Sequence, residues 1–264
     1  MSYSKVITAG EWKAAAQRSF KITLAKMLNV RQSDLHISFH KHRYTAAVSW
    51  IEQGGKYQIS LFLPVMDPAA KLARAMAETL AGYWLHEAAH VVHTSPDAMT
   101  RLTYDHSPAV AKIFNGLEDI RIEYYTAQTG LAKNAAGVFT SLATDVLLSD
   151  TPPANYDPLN PINAAFTCAI LGRWKNNKTL DQNAGQTIWN NCPEWLQTAL
   201  AAAFDVVAKA GPGPENCHKV EQAAIDFAAA WTAAANQSED SGDQPGDSGD
   251  QPGDSGDQPG DSGD

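Results

Sequence analysis

Five consecutive residues carry the clearest chemistry in this chain: His86-Glu87-Ala88-Ala89-His90. Two histidines at i and i+4 share one helical face about one turn apart, so both imidazoles can reach a single divalent ion. Zinc suits such nitrogen donors, and the carboxylate after the first histidine falls beside a water held by the ion. His86 and His90 are therefore candidate Zn²⁺ ligands and Glu87 the candidate general base. The chemistry is hydrolysis by a water whose pKa the metal lowers to about 7.

A catalytic zinc with an open position needs a third protein ligand. The longer pattern HExxHxxGxxH is absent, because His93 and Pro96 stand where it needs glycine and histidine. His93 shares the stripe of His86 but lies about 10 Å further along the axis, too far for one helix to supply all three ligands. The stretch Asn115 to Glu123 is the better source, with Glu118 standing 28 positions after His90. There Val110, Ile113, Leu117, Ile120 and Tyr124 form an apolar stripe. Glu118 lies at its edge and Asp119 nearly opposite, so Glu118 is the expected ligand and Asp119 the alternative, supported by Asn115 or Glu123. Peptide hydrolysis also needs a donor for the developing oxyanion, for which His93, Tyr104, His106, Tyr124 and Tyr125 are unranked candidates. His36, His40 and His42 could form a second metal site, although solvent-facing strand histidines are the commoner case.

The elements that must position these groups are legible in outline. Thr8 with Glu11 is a capping-box pattern that opens a helix to about Leu28. Alternation over 35–63, interrupted by Gln53-Gly54-Gly55, predicts a small sheet with a hairpin. Asp67-Pro68 predicts the start of a long helix that carries the motif to about His93 before Pro96. Further helices are expected at about 108–128, 131–149, 162–176, 185–209 and 215–235. The class is α+β and mostly helical, with a small β-sheet ahead of a long active-site helix. A metal-binding domain over 1–130, a helical subdomain over 131–237 packed on it and an acidic tail over 238–264 are expected. The tail repeats DSGDQPG without an apolar residue, so nothing offsets the entropy of ordering it and disorder is expected.

These residues resemble known families. HEAAH on a helix behind a β-rich segment resembles the zincin metallopeptidases. Asn115-Gly116-Leu117-Glu118-Asp119-Ile120-Arg121-Ile122-Glu123 resembles the N-x-L-E-D-x-R-I-E stretch of the cobalt-chelatase subunit T-like proteins and their phage-encoded relatives. The matches cover about residues 57–128 plus the acidic spacer. The first resemblance implies a zincin-like fold and gluzincin-like hydrolysis of peptide or protein substrates, with the third zinc ligand on a downstream helix. The second implies a spacer leading to a von Willebrand factor A domain, of which this sequence contains neither the domain nor its DxSxS motif. It also implies an alternative function: a non-proteolytic metal-binding adaptor that works with an AAA+ ATPase.

Composition removes other classes. The 264 residues hold 20 Lys plus Arg against 29 Asp plus Glu, but nine of the acids lie in residues 239–264, which contain no base. The remainder is balanced, so it lacks the cationic surplus that nucleic-acid binding needs. No segment approaches the roughly 20 apolar residues of a membrane span, and the N-terminus has no secretory apolar run. Cys168, Cys192 and Cys217 are widely spaced with no CxxC pair, which fits a reducing cytoplasmic setting better than a disulfide framework. No nucleotide loop or GxSxG elbow is present.

Overall fold

The computed structural model describes residues 7–42, 46–130, 134–148 and 163–240, with 132, 157 and 159 between them. The repeat from 241 onward, and with it the expected disorder, lies outside the described residues. The fold is α+β and mostly helical, with one small mixed sheet. Among the described residues no helix is long and apolar enough to cross a membrane.

Helix α1, Ala9–Leu28, starts at the predicted capping box: Thr8 Oγ1 accepts from the Glu11 amide while the Glu11 carboxylate accepts from the Thr8 amide. Strands β1 (Leu35–His42), β2 (Ala47–Gln53) and β3 (Lys56–Pro64) follow. β3 is central, parallel to β1 and antiparallel to β2, so Ile59, Leu61 and Leu63 alternate into the core and β2 is left as an edge.

Helix α2, Arg74–His93, begins later than Asp67-Pro68 predicts. Asp67 instead closes a turn by accepting from the Ala69 amide. The next residues pair with the entry to α1: Ala9 N–H donates to Ala70 O (2.8 Å), Gly10 N–H to Pro68 O (3.0 Å) and Leu72 N–H to Ile7 O (3.1 Å). Tertiary pairing of this backbone overrides the local capping signal.

The rest is helical: α3 (Ala98–Asp105), α4 (Pro108–Thr129), α5 (Ala135–Leu147), α6 (Ala164–Gly172), α7 (Gln182–Asn190), α8 (Glu194–Ala210) and α9 (Cys217–Asp240). α3 has no counterpart among the expected helices, and the helix expected over 185–209 is two, because Pro193 cannot continue α7 and instead leads into α8. α6 runs on into a π-helical turn, Arg173–Asn177.

Among the described residues two larger apolar cores form, beside a small cluster of Ala9, Leu72 and Leu80. Phe20, Leu24, Leu61, Trp84 and Val91 fill the space between α1, the sheet and α2. Phe114, Leu117, Ile120, Leu171, Phe204 and Phe227 belong to a larger core built by α3 to α9. The division between cores thus falls between α2 and α3, whereas the sequence suggests a boundary near 130, because α4 packs on α6, α8 and α9. Two glycines let the site-bearing helices approach their neighbours closely. A Cβ at Gly82 would lie 2.7 Å from Val138 O of α5, and one at Gly116 would lie 2.6 Å from Ala165 O of α6. Each sits about one turn before a residue of the site described next, His86 or Asp119.

Candidate metal centre

α2 and α4 pack side by side, and their polar residues meet at one point. His86 and His90 from α2 and Asp119 from α4 each offer a ligand atom, all within 4.8 Å of one another. This is the one such group of three among the described residues, and it could hold a metal ion. The two imidazole rings are 4.8 Å apart and nearly perpendicular. His86 Nε2 lies 3.5 Å and His90 Nε2 3.2 Å from the same Asp119 oxygen, Oδ1.

The hydrogen-bond network assigns the tautomers. Glu123 Oε1 can only accept, so His86 Nδ1–H donates to it at 2.9 Å. Thr94 Oγ1 donates to Glu118 Oε1 at 2.7 Å, which leaves its lone pair to accept from His90 Nδ1–H at 3.1 Å. In the neutral rings both Nε2 atoms therefore carry lone pairs and face Asp119 Oδ1, a buried oxygen with no hydrogen-bond partner among the described residues. With both rings neutral, three lone-pair atoms converge with no hydrogen between them, an arrangement that either a cation or an added ring proton satisfies.

The charge around the site agrees. Asp119 and Glu123 are two carboxylates against one guanidinium, Arg173, so neutral histidines leave a surplus of one negative charge before Glu87 is counted. Arg173 is itself buried. It donates to both oxygens of Glu123, at 2.7 and 3.0 Å, and more distantly to Asp119 Oδ2 at 3.4 Å. Burial alone would raise Asp119 and lower His86, but each opposes that for the other. Asp119 is held well below the usual carboxylate range by His86, His90 and Arg173, and His86 is pushed up to about 10 by Asp119 and Glu123. Burial raises Glu87. Without a cation, the acids draw a proton onto His86; a metal would compete for that position.

The sequence-predicted residues divide as follows. His86, His90 and Asp119 come together, and Glu87 lines the same cavity. Glu118, the expected third ligand, is fully buried elsewhere: Arg121 Nε and Nη2 donate to its two oxygens at 2.7 and 2.6 Å, and Thr94 donates to one of them. It reaches the site only through Thr94 and His90. The correction has a physical cause. α4 is buried on nearly every side, against α6, α8 and α9 and also against α2, so the face opposite its apolar stripe is interior too.

Glu123, foreseen as support for Asp119, instead supports His86. Thr94 and Arg173 were not foreseen; a threonine four residues after His90 and an arginine on a π-helical turn carry no sequence signal of their role. None of the five candidate oxyanion donors lines the cavity. Tyr104 is exposed, and Tyr125 bridges Ala208 O and the Gly211 amide. Asn115, Tyr83 and Lys112 line it instead. His36 and His40 are exposed, the latter stacked on Phe62, while the side chain of His42 lies outside the described residues.

His93 is buried and accepts from the Gly213 amide through Nδ1 at 3.1 Å. Burial, with Arg121 and His90 nearby, pushes it down to about 4. The unfolded chain then takes up a proton below about pH 6.5 that the folded chain refuses, so this contribution to stability is complete above that pH and is lost as pH falls toward 4. Stability should drop by about 3 kcal/mol over that window from this residue. Urea unfolding at a series of pH values should show a shallower slope for His93→Gln than for the wild type; parallel slopes would mean His93 does not titrate this way.

No protein-family model matches the chain, and neither does any curated protein or solved structure.

Proposed function

We propose that the chain is a zinc-dependent peptidase in which His86, His90 and Asp119 hold the metal and Glu87 is the general base. The observation that carries this reading is the convergence of three lone-pair atoms beside a buried carboxylate that opens into a cavity of about 740 Å³. Two imidazoles and one carboxylate are a donor set for Zn²⁺ with a position left for water or substrate. A bound zinc would supply Lewis acidity, lowering the pKa of a coordinated water and polarising a carbonyl.

The protein's own residues supply the rest. Glu123 and Thr94 fix both imidazoles in the Nδ1–H form and aim their Nε2 atoms, while Arg173 holds Glu123 as a carboxylate and Arg121 anchors Glu118 by a two-point ion pair. Glu87, adjacent to His86 on α2, takes the proton of the attacking water and returns it to the leaving amine. Asn115 lies one turn before Asp119 on α4 and lines the cavity, so its amide is the donor assigned to the carbonyl oxygen as charge develops there.

The test is incubation of zinc-loaded protein with a mixed peptide library, read by mass spectrometry. New cleavage products should form, cease with a chelator and return with added zinc. A library left intact at saturating zinc would remove the peptidase reading.

A further inference from the structure

We propose that the cavity beside the metal centre is a subsite for one large aliphatic or aromatic side chain of the substrate, an inference that rests on the peptidase reading above. Much of the cavity lining is apolar. Leu142, Val146 and Leu147 come from successive turns of α5, Phe166 from α6 and Met99 from α3. Val146 is 40% exposed and Met99 37% exposed, so each offers apolar surface that a ligand side chain could cover. They are not scattered: both line this one cavity, which also contains His86, Glu87, His90 and Asp119.

The charges lining the cavity decide which side chain fits. Its carboxylates are Glu87 and Asp119, the second a member of the ligand group and the first assigned above to the attacking water, so a lysine or arginine side chain would find no further carboxylate to pair with. Arg173 is tied to Glu123 and Asp119, which leaves Lys112, an exposed residue, as the other lining cation. An acidic side chain would be met only by this exposed lysine. A leucine-sized side chain, by contrast, would displace water from Leu142, Val146 and Phe166, and full burial of such a group strengthens binding roughly 10- to 100-fold.

Binding of two small metal-directed probes to the zinc-loaded full chain tests this without relying on turnover. N-acetyl-leucine hydroxamate should bind roughly 10- to 100-fold more tightly than N-acetyl-glycine hydroxamate by calorimetry. N-acetyl-lysine hydroxamate should gain little over the glycine probe. Val146→Asp, a change on the partly exposed face of α5, should collapse the leucine preference to about twofold or less, with zinc content checked in the same samples. If the leucine and glycine probes bind equally, the subsite is overturned while the metal site stands. If Val146→Asp keeps the full preference, the assigned wall is wrong. If the protein holds no zinc, or holds it but binds no hydroxamate, the peptidase reading fails and this inference with it.

Discussion

Arg121→Met is expected to destabilise the protein by about 3–5 kcal/mol, one of the largest effects of any single substitution here. Arg121 is fully buried in the middle of α4 and makes a two-point ion pair with Glu118, itself inaccessible to solvent. The same guanidinium donates to the carbonyls of His93, Gly211 and Gly213, which ties the end of α2 and the turn before α9 to α4. Methionine fills much of the volume but leaves Glu118 a buried, uncompensated charge and three carbonyls without a donor. Adding Glu118→Leu should recover a substantial part of the loss, because removing both charges abolishes the unpaired carboxylate, while the orphaned carbonyls remain. Urea denaturation of the two variants measures this. A single substitution that costs under about 1 kcal/mol would show that the pair is not held as described.

Glu87→Gln is expected to lower peptide hydrolysis by about 100- to 10,000-fold while zinc is retained. The amide matches the carboxylate in shape but cannot accept the water's proton. Glu87 is not among the converging ligand atoms, so its replacement leaves the donor set of His86, His90 and Asp119 intact. Burial disfavours its charge, so the neutral variant should fold at least as stably as the wild type. Zinc content and kcat measured on one preparation separate the outcomes. Full activity in Glu87→Gln would assign the base elsewhere, and loss of zinc would make Glu87 a ligand.

Much of the fold and half of the site could be read from local signals. The capping box of Thr8 and Glu11, the hairpin glycines and the HEAAH spacing act over three or four residues, and each appears in the structure where the sequence puts it. The failures share a cause, which is that distant partners decide. Asp67-Pro68 resembles a helix start, yet its backbone is engaged by the entry to α1. Glu118 and Asp119 are neighbours whose roles depend on which helix covers each face of α4, and an apolar stripe locates only one of those faces. Thr94 and Arg173 gain meaning solely from the groups they meet, His90 and Glu118 for the first, Glu123 and Asp119 for the second. Histidines and tyrosines are the sequence candidates for the oxyanion donor, while the cavity is lined by Asn115, whose sequence position suggests only support for Asp119.

If His86, His90 and Asp119 together hold zinc, the metal content of the protein must depend on each of them. Wild-type protein and Asp119→Asn, equilibrated with equal zinc and iron and then passed through a desalting column, would be analysed by inductively coupled plasma mass spectrometry. About one zinc per chain is expected in the wild type and a small fraction of that in Asp119→Asn, with both proteins folded by circular dichroism. Iron in place of zinc, no metal in the wild type, or undiminished zinc in Asp119→Asn would contradict this expectation.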